Sequence, residues 1–120
     1  MPMVTVFTNA SRALVTEAFA TELGKSVGTH LNRPEEYVTV RVVPEQLMFT
    51  GGKPTPFAHV DVISLSGLGP DKNREMAPDI TKIVEEHLKI PKILLTFDRI
   101  DPTDCGIDGK TFPTWISQDE

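Results

Sequence analysis

The chain opens Met1-Pro2-Met3-Val4-Thr5-Val6-Phe7-Thr8, and the rest of the sequence is best read outward from this stretch. From Met3 to Thr8, β-branched and aromatic residues alternate without a breaker, which is the pattern of a strand. Pro2 stands at the mouth of that strand. A proline directly behind an initiator methionine marks a site where the methionine is normally removed. Removal leaves a chain that begins with a secondary amine, held at the start of a strand. Thr8-Asn9-Ala10-Ser11 is turn and cap chemistry, with Ser11 as an N-cap. Behind it Val15, Phe19, Leu23, Val27 and Leu31 recur every four residues and predict an amphipathic helix over about 12–31. Gly24 and Gly28 each cost that helix about 1 kcal/mol against alanine, and they read as points of close helix–sheet packing.

Asn32-Arg33-Pro34 ends the helix, because a proline disfavours helical geometry in the residue before it. Tyr37 to Val43 reads as a second strand, with Val38, Val40 and Val42 on one face and Thr39 and Arg41 on the other. Pro44 to Pro56 carries too many breakers to be regular throughout and predicts a long loop with a short hairpin inside it. Its Gly51-Gly52-Lys53 is no phosphate loop: Leu47 stands where the first glycine is needed and Pro54 where a magnesium-holding hydroxyl is needed. Ala58 to Leu65 alternates again, with Val60 and Val62 opposite His59, Asp61 and Ile63. After the turn Gly67–Asp71, residues Ile80, Ile83, Val84 and Leu88 mark a second helix, which either starts near Pro78 or bends there. Ile90-Pro91 closes it, and Ile93–Phe97 reads as a short buried strand. The tail is turn-rich and ends in acidic residues.

The order is therefore strand–helix–strand, long loop, strand–helix–strand, with the two units spanning about 2–43 and 58–97. This predicts a two-layer α+β fold of duplicated β-α-β units. Right-handed crossovers place both helices on one face of a four-stranded mixed sheet. The opposite face mixes Thr39, Arg41, His59, Asp61 and Ile63, so it is neither a clean core nor a clean solvent face, and self-association is expected. At 120 residues the chain has material for one core, hence one domain. A net charge of −5 without a basic cluster argues against a nucleic-acid surface.

A single cysteine, Cys105, cannot form an internal disulfide and has no evident base partner; it reads as a packed or free thiol. The N-terminus lacks the basic and apolar regions of a signal peptide, and no apolar run is long enough to span a bilayer. A cytoplasmic protein with no membrane partner is the expectation, with secretion by a non-classical route left open. His30, His59 and His87 lack ligand spacing, so no metal centre is expected. Glu85-Glu86 reads as a solvated helix face.

Set in order, these residues resemble the macrophage migration inhibitory factor and D-dopachrome tautomerase family of the tautomerase superfamily. The similarity rests on Met1-Pro2-Met3 with Thr8-Asn9 and Arg12, on Pro34 and Tyr37, and on the run from Val42 to Met48 followed by Gly51-Gly52 and Pro56. Ser64, Gly69, Asn73-Arg74, Leu88, Ile90, Gly106 and Thr111-Phe112 extend it. It is collinear to about residue 112, with a short deletion near Lys92-Ile93, and residues 113–120 run beyond the family's usual end.

The resemblance implies a homotrimer around a solvated channel, with sites between subunits. It also implies a cofactor-free keto–enol tautomerase acting on a small 2-oxo or quinoid carboxylate such as phenylpyruvate, or on D-dopachrome methyl ester. Pro2 matches the family's general base. Arg33 stands where a lysine holds the substrate carboxylate, Tyr37 at an aromatic contact, and Ser64 and Leu65 at backbone and wall positions. Leu94, Thr96 and Ile107 replace a tyrosine, an asparagine and a tryptophan supplied by the neighbouring subunit, and Ile63 replaces a histidine. These departures imply an altered substrate preference or weak turnover. The family's Cys-x-x-Cys maps to Phe57 and Val60, so thiol–disulfide activity is not implied. The alternative reading is a cytokine-like protein that binds a cell-surface receptor, for which Arg12 and Glu45 match a proposed contact pair.

Overall fold

The computed structural model describes residues 1–113; all of the tail read as 113–120 except Pro113 lies outside the described residues. Eight strands and two α-helices follow in chain order: β1 Met3–Thr8, α1 Glu17–His30, β2 Thr39–Val43, β3 Phe49–Thr50, β4 Lys53–Pro54, β5 Ala58–Ser64, α2 Pro70–Leu88, β6 Ile93–Arg99, β7 Gly106–Ile107 and β8 Lys110–Thr111. The main sheet has the order β2-β1-β5-β6. β1 runs parallel to β2, β5 parallel to β6, and the two units meet antiparallel at β1–β5. The expected α+β architecture with both helices on one face is what forms. β3 and β4 make the small hairpin expected within the loop.

The alternation read in the strands places the core. Val4 and Val6 of β1 and Val60 and Val62 of β5 have no exposed surface and face Phe19, Leu23 and Val27 of α1 together with Met76, Ile80 and Val84 of α2. Burying side chains of this size contributes roughly 1.5–3 kcal/mol each. On the other face a polar row crosses the sheet. Thr96 Oγ1 donates to Asp61 Oδ1 at 2.6 Å, His59 Nε2 lies 2.8 Å from Thr96 Oγ1, and Arg41 Nη2 donates to Thr5 Oγ1 at 3.4 Å. Phe7 stacks on His59 with ring centres 5.7 Å apart.

Several boundaries differ from expectation. The strand expected from Tyr37 begins only at Thr39, because Glu35–Tyr37 form a 3-10 turn behind Pro34. The helix predicted over 12–31 is split: Ser11 caps a 3-10 turn at Arg12–Leu14, Val15 is extended, and α1 begins only after Thr16. The Thr16 hydroxyl accepts from the Phe19 N–H at 3.1 Å, and this cap wins because it satisfies an otherwise orphaned donor. α2 begins at Pro70, well before Pro78, since a proline suits the first helical turn. Pro78 sits inside α2 on its exposed face, where the Arg74 carbonyl that it deprives of a donor is on the solvent side. β6 extends to Arg99 and is an edge strand rather than a buried one, with Leu94 49% exposed. Its run Ile93-Leu94-Leu95 hides an alternation in which Leu94, Thr96 and Asp98 turn away from the helices.

The glycines of α1 are packing sites, as the sequence suggests. A Cβ at Gly24 would lie 3.2 Å from Val40 Cγ2, and one at Gly28 would lie 2.9 Å from the Arg33 carbonyl oxygen. Gly28→Ala is therefore expected to destabilise the fold by about 1–3 kcal/mol through overpacking, in place of the gain of about 1 kcal/mol usual for this change inside a helix. Urea denaturation measures the sign directly.

Candidate active site

Sheet topology gathers four segments at one end. Met3 is level with Thr39 on β2 and with Ile63 on β5, and Ile63 is level with Asp98 on β6. The start of β1, the α1–β2 connection, the β5–α2 turn and the chain after β6 therefore all meet at the N-terminal edge of β1. Pro2 is buried there, and its carbonyl accepts from the Thr39 N–H at 3.1 Å, which adds a rung beyond the regular ladder. A proline fits this place because no donor is needed from it at the first residue of a strand.

Arg33 is brought to the same end by the way α1 stops. The Arg33 N–H bonds the Gly28 carbonyl at 2.8 Å and the Asn32 N–H bonds the Thr29 carbonyl at 3.3 Å, with Asn32 left-handed at φ 56°. These paired bonds around a left-handed residue are a Schellman cap. The side chain of Arg33 is half-buried. Its Nη1 donates to the Leu31 and Asn32 carbonyls at 3.1 and 3.3 Å, and its Nη2 donates to Ser66 Oγ. Among the described residues no carboxylate pairs with it. A half-buried cation held only by neutral acceptors keeps its charge available to an anion.

The terminal amine belongs to Met1, and its pKa is lowered from the ordinary value, first by burial and then by the positive charge of Arg33; the Cys105 thiol acts in the opposite direction. Burial and a like charge both disfavour the ammonium form. The chain thus keeps a terminal amine beside a fixed cation, with Cys105 close enough for its charge to be felt.

The other residues singled out from sequence fall into two sets. Ser64 and Leu65 lie at this end and are 1% and 3% exposed. The Ser64 hydroxyl donates to the Ser66 carbonyl at 2.7 Å, and its own carbonyl accepts from the Ile100 N–H at 3.0 Å. Tyr37 closes a 3-10 turn at Glu35–Tyr37 and is 53% exposed. Leu94 and Thr96 do not converge on Pro2 within one chain. Leu94 is level with His59 and Phe7, four residues along β1 from Met3, which is about 13 Å. Ile107, on the β7–β8 hairpin, is 43% exposed. Ser66 was not marked by the sequence: its partner lies 33 residues away, and no local pattern signals the pair. Arg12 and Glu45 do meet, the Arg12 backbone N–H donating to the Glu45 carboxylate at 3.0 Å. Among the described residues no three His, Cys, Asp or Glu side chains cluster as metal ligands, and no helix is long and apolar enough to cross a membrane.

Comparison with known proteins agrees with the architecture. A family model described as "Macrophage migration inhibitory factor (MIF)" matches residues 1–113. The macrophage migration inhibitory factor homolog of Brugia malayi is 32% identical over 114 residues, covering 93% of this chain and 99% of that protein. The factor of Rattus norvegicus is 31% identical with the same coverage. The solved structure of the factor from Oncomelania hupensis superposes with a TM-score of 0.88 at 25% identity, covering 97% of this chain and 86% of that one.

The geometry carries an electrostatic expectation. Replacing Arg33 by alanine removes a like charge, so the terminal amine is expected to titrate at higher pH in Arg33→Ala than in the parent chain. An NMR titration of the terminal residue reads the midpoint; an unmoved or lowered midpoint contradicts the assignment of Arg33 as a cause.

Proposed function

The chain belongs to the macrophage migration inhibitory factor family, and from that premise we propose that it is a cofactor-free keto–enol tautomerase with Pro2 as its general base. Removal of Met1 transfers the terminal amine to Pro2, at the mouth of β1. The observation that supports the reading is geometric: Pro2 is buried at the N-terminal edge of β1, at the end of the sheet to which the loop carrying half-buried Arg33 is also brought. Burial and Arg33 lower the pKa of the amine one residue away, that of Met1. An amine whose neutral form is favoured is the kind of base that proton transfer requires.

The substrate is a small 2-oxo or quinoid carboxylate of the phenylpyruvate or dopachrome type. Its carboxylate docks on Arg33, which holds the adjacent carbonyl in place. The neutral prolyl nitrogen takes a proton from the carbon next to the carbonyl, and that proton is returned to the oxygen. One C–H bond is exchanged for one O–H bond, and no oxidant or cofactor enters the balance. Tyr37 supplies an aromatic contact, while buried Ser64 and Leu65 form backbone and wall.

Assembly as a homotrimer completes the site, with Leu94, Thr96 and Ile107 contributed by a neighbouring copy. The separation of Leu94 from Pro2 within one chain and the exposure of Leu94 and Ile107 support this arrangement. Loss of the family's polar and aromatic groups at these positions favours slower turnover and a changed substrate range. A second reading is cytokine-like receptor binding, for which the resemblance offers Arg12 and Glu45; in the fold the Arg12 backbone N–H bonds the Glu45 carboxylate.

The test is an assay of phenylpyruvate and D-dopachrome methyl ester isomerisation by the parent chain and by Pro2→Gly. The expected result is measurable activity that falls at least about a hundredfold in the variant, together with an intact mass lacking Met1. No activity in either protein, or a retained Met1, removes the enzymatic reading. Receptor binding that survives Pro2→Gly places that role on a separate surface.

A further inference from the structure

We propose that Ser66 is a positioning residue for Arg33, and that this pair makes the site selective for substrates bearing a free carboxylate. The inference deepens the tautomerase reading and rests on it for the class of substrate. Ser66 lies in the turn after β5 and is 3% exposed. Its place in that turn is set by Ser64, whose hydroxyl donates to the Ser66 carbonyl at 2.7 Å and accepts from the Ser66 N–H at 3.4 Å. Ser66 Oγ then accepts from Arg33 Nη2. A buried hydroxyl that is already part of a turn offers a fixed acceptor, unlike one that can swing into water.

The geometry of arginine gives the contact its consequence. The guanidinium has five N–H donors in a rigid plane. Nη1 has carbonyl acceptors in Leu31 and Asn32, and Nη2 has one acceptor, Ser66 Oγ. Nε has no acceptor among the described residues, and Nη2 has none besides Ser66. Those two nitrogens share one edge of the plane, the edge that can meet a carboxylate with two parallel bonds. Ser66 on one side and the Schellman turn on the other hold that edge in a single orientation. A lysine ammonium would gain little from such a brace because it has no plane to orient.

An ester or a carboxamide meets the same edge without the charge and with fewer acceptor lone pairs. Loss of the Ser66 hydroxyl therefore acts on carboxylate substrates and leaves an ester substrate largely unaffected. The proton transfer itself takes place at Pro2, so the effect falls on binding more than on turnover.

The parent chain, Ser66→Ala, Arg33→Ala and the double variant are titrated with phenylpyruvate by calorimetry and assayed with phenylpyruvate and with D-dopachrome methyl ester, after thermal melting confirms folding. Ser66→Ala is expected to weaken phenylpyruvate binding and raise its KM about tenfold, with kcat and the ester KM within about twofold. In the Arg33→Ala background the same change is expected to do nothing further. An equal loss in both backgrounds means a general structural role and overturns the proposal, as does no loss in either. Ser66→Gly removes the hydroxyl by a second route if the alanine variant does not fold, and Ser66→Thr is expected to restore binding. If the parent chain binds phenylpyruvate through Arg33 but does not isomerise it, the tautomerase reading fails and the Ser66 proposal is decided by calorimetry alone. A parent chain that binds no phenylpyruvate overturns it.

Discussion

The ladder that holds β1 between β2 and β5 is the constraint on which the rest depends. β1 starts within two residues of the chain's first residue, yet it occupies an interior position in the sheet, paired over its length on both sides. A chain end normally frays because few contacts hold it. Here the paired strand draws the end inward, so Pro2 is buried and its carbonyl is engaged by Thr39. Because β1 is antiparallel to β5 and parallel to β2, the same topology delivers the turn carrying Ser64 and Ser66 and the loop carrying Arg33 to the start of β1. The candidate site is thus a consequence of strand direction.

Two costs are accepted at that end of the sheet. A terminal amine is placed where burial disfavours its charge, and a guanidinium is half-buried without an ion-pair partner among the described residues. Neither arrangement helps a fold that only has to be stable, since an unpaired buried charge opposes folding. Together they are coherent: each disfavours protonation of the amine, and the anion that the proposed function places at Arg33 would relieve the second cost on binding. Strain of this kind concentrates where a site performs chemistry.

The core was legible because period-two and period-four patterns are local. Val4 and Val6, Val60 and Val62, and the spacing from Phe19 to Val27 name the buried faces directly. Boundaries were less so. Ser11 and Thr16 each cap a helical segment, and only the one behind Thr16 continues as α1, while α2 starts at Pro70 and runs through Pro78. β6 read as buried because Leu94 looks apolar in sequence, whereas its register turns it away from the helices. At the candidate site, Pro2 and Arg33 were marked by family resemblance. Ser66 was not, because its contact depends on how α1 ends and on where the β5–α2 turn arrives. Cys105 likewise comes near the terminal amine only through the path of the chain after β6.

The central claim is that proton transfer is performed by a free amine at the start of β1 whose neutral form is favoured by burial and by Arg33. It is tested most directly by the pH dependence of kcat/KM for phenylpyruvate, measured on chains with Pro2 free and on chains retaining Met1. The expected profile for the free terminus falls on the acid side with a midpoint below that of an ordinary terminal amine, and the Met1-retaining chain is expected to be inactive, its Pro2 nitrogen being an amide. Equal rates for the two forms, or a profile flat through that region, would contradict a base at Pro2.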